Sequence, residues 1–239
     1  MTHMNRSRRR AAKAKGKVIP LGRVVAVHEA GHAVARFLVA DDFGRPPEEM
    51  ISYIEVGLRH PVGGSLFNKS VTMVAQATTF GATYSVELHS IIARTAAVSD
   101  RKAITNDEIR DAFTVARSEG IDVDRWLKAR MLIMTLASVA EAVYSGRSID
   151  AVWNSSESES DMRDAVQDGY RAGFDGPQIA LFVCEALERS EGLIRQEAVQ
   201  RAIEALAAAI PDQGRMPGRQ AAFIINQVLQ ASTVPGFTA

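Results

Sequence analysis

Apolar residues recur every three to four positions over most of the chain, and the few stretches that break this rhythm mark its turns. Over residues 22–40, Val24, Val25, Val27, Ala30, Gly31, Val34, Phe37 and Leu38 form one broad apolar face, which predicts a first helix. Residues 44–49, with Pro46 and Pro47, end it. Residues 51–58 are short and rich in β-branched and aromatic side chains, so they read as a strand. Residues 60–64 read as a turn, with 65–74 returning as the second strand of a hairpin. Residues 75–85 are small, polar and weakly patterned, which predicts a mobile loop.

The remainder is helical in pattern. Residues 86–98 form one candidate helix. Thr105 followed by Glu108 fits a capping box that opens another, running through Arg117 and stopping near Gly120. Residues 123–145 are the most apolar long stretch, expected to be central and buried, with Gly146 as C-terminal cap. Residues 155–160 read as a polar loop, and Ser158 with Asp161 as the cap of a helix that reaches Ala172 and stops at Gly173. Pro177 suits the first turn of a helix to about Glu191. Residues 193–210 form the next helix, 212–218 a loop, and 219–230 a last short helix. No internal repeat is visible. The expected fold class is mainly α with one small β-sheet.

Composition narrows the function classes. The chain has 239 residues, 46% hydrophobic and 23% charged, which suits a globular core and argues against disorder. Lys+Arg and Asp+Glu are both 28, so no whole-protein field attracts nucleic acid. The single cysteine, Cys184, excludes an internal disulfide and a multi-thiolate metal site. No apolar run reaches the roughly 18–20 residues of a membrane span, and the N-terminus has no apolar signal region. A cytoplasmic location is the expectation. Arg6, Arg8, Arg9, Arg10, Lys13, Lys15 and Lys17 make residues 1–17 a basic, solvated tail. No aromatic residues interleave to stack on bases, so no specific nucleic-acid recognition is expected.

The chemistry lies in the first helix. His28-Glu29-Ala30-Gly31-His32 is an HExxH sequence. Its spacing puts His28 and His32 one turn apart on one helical face, where two imidazoles can meet one zinc ion at about 2.0–2.1 Å. Glu29 is placed to act as general base on a water that zinc acidifies. Gly31 costs about 1 kcal/mol of helix propensity relative to alanine, and a small residue there would allow another backbone to approach. A further protein ligand is needed. His60 and His89 are nitrogen candidates that read better as surface or satisfied histidines, and His3 lies in the basic tail. Glu141 sits in the apolar helix, where an unpaired acid is costly, so it must pair with a metal-bound histidine or another cation. Asp161, Asp164 and Asp168 share a similar face, and periodicity alone does not choose among these acids.

The run Val27-His28-Glu29-Ala30-Gly31-His32-Ala33-Val34-Ala35 resembles the HEAGHA motif of the FtsH (M41) zinc metallopeptidase family. Ile51-Ser52-Tyr53-Ile54-Glu55-Val56-Gly57 and Gly63-Gly64-Ser65 are similar to that family's strand and its glycine-containing continuation. Residues 136–146 are similar to its GGRAAEELIFG helix, with Glu141 at the first acid, Ala142 at the second, and Ala137 and Ser138 in place of the two glycines. The family's third zinc ligand is an aspartate in a GAxNDL segment. Residues 157–162 stand there, with Asp161 and Met162 in register and Gly, Ala and Asn replaced. Residues 193–210 and 214–224 resemble its C-terminal helical part.

The resemblance implies a zincin-like peptidase domain over residues 18–230, with a divergent segment at about 76–124 and a C-terminal tail over 231–239. It implies Zn2+ held by His28, His32 and Asp161, with Glu29 catalytic. Glu157, Glu159 and Asp164 compete with Asp161, for which the physical case is a short, stiff carboxylate aimed from a helix start. The family's ATPase module, with its GxxxxGK[ST] loop, and its transmembrane anchor have no counterpart here. The expectation is an ATP-independent metalloendopeptidase acting on flexible or unfolded polypeptides, monomeric or a small oligomer. Residues 51–58 would serve as an edge strand for substrate. A separate ATPase or self-association supplies the other partner class. The alternative is a non-proteolytic zinc-binding regulatory or partner-binding module.

Overall fold

The computed structural model describes residues 18–19, 22–59, 73–96, 105–211 and 214–232. Strand β1 is Val18–Ile19, and α1 is Arg23–Leu38. A 3-10 turn at Ala40–Phe43 closes on Gly44 in the left-handed region, φ 59, and leads to the short α2, Pro47–Met50. The strands β2, Ile51–Arg59, and β3, Met73–Gly81, follow. Then come α3, Val86–Ala96; α4, Asn106–Ser118; α5, Val123–Ser145; α6, Ile149–Trp153; and α7, Ser156–Arg171. The chain continues through α8, Gly176–Ile194; α9, Glu197–Ala209; β4, Gly214–Pro217; and α10, Gly218–Ala231.

The protein is mainly helical with one small sheet, as its pattern predicts. The sheet order is β1-β3-β2-β4. β2 pairs antiparallel with β3 on one side, Ile54 opposite Thr79, and with β4 on the other, Ile54 opposite Met216. β1 runs parallel to β3 at Val18–Met73 and Ile19–Val74. Helix α5 is the axis of the helical part. Trp126, Leu127, Met131, Leu132, Ile133 and Leu136 are almost wholly buried, as expected for a helix apolar on all sides. It packs against α1 and α8, and α1 also lies on β3.

Local signals placed several boundaries. The Thr105–Glu108 capping box is present in both directions, and Gly146 caps α5 at φ 70. Asp175 and Gln178 form a second capping box at the start of α8, which the sequence reading did not single out.

Other boundaries differ from expectation. The stretch read as a loop, 75–85, is β3 as far as Gly81, so the returning strand lies later than 65–74. Its ladder to β2 supplies hydrogen bonds that a local propensity reading does not see. The turn at 60–64 and most of that earlier assignment fall outside the described residues. The run 212–218 is not simply a loop: Gly214–Pro217 pairs with β2, and α10 starts at once behind it. Consequently β2 is an interior strand along Tyr53–Val56 and not the free edge expected for substrate. Leu193 and Ile194 belong to α8, because the break falls at Arg195–Gln196. Helix α7 begins at Ser156 behind Ser155, so the polar run is helix rather than loop.

Candidate metal centre

The site is assembled where α1 crosses α5. A β-carbon built on Gly31 would lie 2.7 Å from the Ala137 Cα, so glycine is what lets the two backbones meet. The expected close approach is therefore found. On either side of this crossing, α5 reaches a histidine. One turn before Ala137, the Ile133 carbonyl accepts a hydrogen bond from His32 Nδ1 at 2.9 Å. One turn after it, Glu141 Oε2 lies 2.9 Å from His28 Nδ1. His32 is thereby fixed through Nδ1 by a hydrogen bond, and His28 has the Glu141 carboxylate as an ion-pair partner on its Nδ1 side, so that each Nε2 is left to face outward.

The two Nε2 atoms converge on one carboxylate. Asp161 Oδ2 is 3.1 Å from His28 Nε2 and 3.0 Å from His32 Nε2. The rings stand edge to face, with centroids 4.8 Å apart and planes at 84°. His28, His32 and Asp161 form the group, among the described residues, that can hold a metal ion. Two bonds of about 2.05 Å at a tetrahedral angle put ligand atoms about 3.3 Å apart, close to the separations found. The donor set, two imidazole nitrogens and a carboxylate with an outer partner on each ring, suits such an ion.

Asp161 comes from the second turn of α7, not from a helix start, so docking of the whole helix aims it. A buried ion pair joins this helix to α5: Arg130 Nε of α5 lies 3.2 Å from Asp168 Oδ2, and within α7 Arg171 Nη1 lies 3.1 Å from the other oxygen. Asp164 is exposed and outside the group. The Glu157 and Glu159 side chains lie outside the described residues, as do His60 and His3. His89 is exposed on α3 and outside the group.

Glu29 is 7% exposed, and its Oε2 has no hydrogen-bond partner among the described residues. Its main-chain oxygen accepts a hydrogen bond from Thr79 Oγ1 of β3 at 3.0 Å, which ties the helix to the sheet. Burial pushes the Glu29 carboxyl above its ordinary value, only partly opposed by the two imidazoles. Burial also pushes Asp161 up, but hydrogen bonds from His28 and His32 outweigh it and hold the carboxyl well below the usual range. For His28, burial acts downward, and the bonds to Asp161 and Glu141 overcome it, raising the ring to about 10.

Glu141 therefore has the partner its buried position demanded. It has a second in Arg147, whose Nη1 lies 3.2 Å from Glu141 Oε1. The sequence reading missed Arg147, Thr79, the Ile133 carbonyl and Arg36. The last is buried one turn beyond His32, donates from Nη1 to the Ala82 carbonyl at 2.6 Å, and is lowered to about 9 by burial and by Arg130. Its one legible signal was the spacing His28, His32, Arg36 along one helical face.

Comparisons with known protein families, curated proteins and solved structures find no match to the chain. Among the described residues, no helix is long and apolar enough to cross a membrane.

Proposed function

We propose that the chain is a zinc-dependent endopeptidase of the FtsH type, acting on flexible or unfolded polypeptide. The observation that carries this reading is the meeting of His28 Nε2 and His32 Nε2 on Asp161 Oδ2 beside a buried glutamate without a hydrogen-bond partner on Oε2. Zinc held by these three side chains supplies Lewis acidity toward a water and a peptide carbonyl. Glu29 takes the proton of the attacking water on its carboxylate and returns it to the departing amine. A raised proton affinity suits a general base that must also act as an acid. Glu141 and the Ile133 carbonyl hold the imidazoles in the tautomer that presents Nε2.

Beyond Val74, the outer edge of β3 has no strand partner among the described residues. That edge runs beside α1 at Thr79 and Glu29, which supports main-chain pairing with an extended substrate there rather than on β2. Main-chain pairing tolerates varied side chains, as cleavage of unfolded segments requires.

The test compares zinc content and casein hydrolysis in the wild type and in Glu29→Gln. Zinc retained with hydrolysis lost supports the peptidase. Zinc bound by a wild type that does not hydrolyse casein would make the chain the alternative, a metal-binding regulatory module.

A further inference from the structure

Arg147 takes no part in the proposed reaction, yet it touches both Glu141, the outer partner of His28, and the helix that leads into α7. Gly146 ends α5 in a left-handed turn, φ 70, so the next residue folds back toward the helix it has just left. Arg147 Nη1 thereby reaches Glu141 Oε1 at 3.2 Å, six residues back along the chain. Its Nη2 donates to the main-chain oxygen of Ala151 in α6. Helix α6 passes through Asn154 and Ser155 directly into α7, the helix that carries Asp161. One guanidinium thus spans the outer partner of His28 and the segment that delivers the carboxylate ligand.

Charge gives this contact a purpose. The Glu141 side chain is only 8% exposed. A metal on His28 Nε2 requires a neutral ring, which offers Glu141 a single N–H donor at Nδ1. Arg147 is then the one full positive charge in contact with that buried carboxylate among the described residues. The planar fork of arginine, with separate N–H groups, is what allows the same side chain to bind Ala151 as well.

The geometry points to Arg147 as a positioning residue of the metal centre. It fixes Glu141 against His28 and ties that pair to the α6–α7 segment that brings Asp161. This rests on the metal reading above. The position of Arg147 follows from the Gly146 turn.

The test is zinc affinity, measured by competition with a chromophoric chelator at one pH. The proteins are wild type, Arg147→Met, Arg147→Lys, Glu141→Gln, and each Arg147 change combined with Glu141→Gln. Arg147→Met is expected to weaken zinc about tenfold, near the lower end for an outer partner. Arg147→Lys keeps the charge but not the fork, and is expected to weaken it about threefold. In the Glu141→Gln background each loss should shrink, to below threefold for Met and to no measurable change for Lys. If Arg147→Met does not fold, the Lys pair carries the same comparison. Affinity within twofold of wild type for the folded Arg147 variants overturns the inference. So does an equal loss in both backgrounds, which would mark a general structural role. A wild type that binds no zinc overturns this inference and the proposed function together. A wild type that binds zinc and hydrolyses casein, with indifferent Arg147 variants, overturns this inference alone.

Discussion

Gly31 and Ala137 are in backbone contact: a β-carbon on Gly31 would sit 2.7 Å from the Ala137 Cα and 3.2 Å from its nitrogen. That contact sets the spacing at which α5 can offer Ile133 to His32 and Glu141 to His28. Gly31→Ala should therefore force the helices apart. Overpacking of this kind costs about 1–3 kcal/mol, and a helix-propensity gain of about 1 kcal/mol offsets only part of it. Urea unfolding should show Gly31→Ala less stable by up to about 2 kcal/mol. Gly192→Ala in α8, where nothing lies within 4 Å, should stabilise by up to about 1 kcal/mol and serves as the control.

Removing a ligand should remove the metal. His28→Ala, His32→Ala and Asp161→Ala should each lose most zinc in metal analysis of the purified protein, because each supplies one of the three converging atoms. Asp164→Ala should keep it, since that side chain is exposed and outside the group. The reverse result for the two aspartates would shift the ligand assignment by one helical turn.

Protons and metal should compete at His28. In the metal-free protein its ring is raised to about 10 from an ordinary 6.5. A raised folded value contributes stability that is fully present below pH 6.5 and lost as pH rises toward 10. Asp161 is shifted the other way, so its contribution is present above its ordinary value of 3.8 and lost on acidification. With a chelator present, the melting-temperature advantage of wild type over His28→Ala should shrink steadily from pH 6.5 to 10. Zinc affinity should rise over the same window by about tenfold per pH unit, one proton being displaced. An affinity independent of pH there would exclude a protonated His28 as the metal's competitor.

Asp168 holds α7 in place from within the core. Its oxygens are shared by Arg130 and Arg171, and its side chain is 6% exposed. Removing one partner of a buried pair typically costs about 3–5 kcal/mol. Asp168→Ala should lose stability on this scale in urea unfolding. It should also weaken zinc, because Asp161 is aimed by the docking of its helix. Full zinc affinity in a destabilised Asp168→Ala would mean that α7 is held in place by other contacts.

Local rules determined by themselves whatever depends on neighbours in the chain. Helix α1, the Thr105–Glu108 capping box, the limits of α5 at Val123 and Ser145, and the one-turn spacing of His28 and His32 were all legible, because each is a matter of 3.6-residue periodicity or of a cap within one turn. The need for a partner to Glu141 was legible too, from the cost of burying a lone acid. Tertiary structure alone decided the rest. β3 and β4 are strands because β2 offers them a ladder, a non-local pairing that weak intrinsic propensity does not announce. Asp161 meets His32 across 129 residues, and periodicity left several acids equally placed to do so. What selects among them is the packing of α1 and α7 on the shared helix α5: the Gly31–Ala137 contact fixes the histidines, and the Asp168–Arg130 pair fixes the helix that carries the carboxylate.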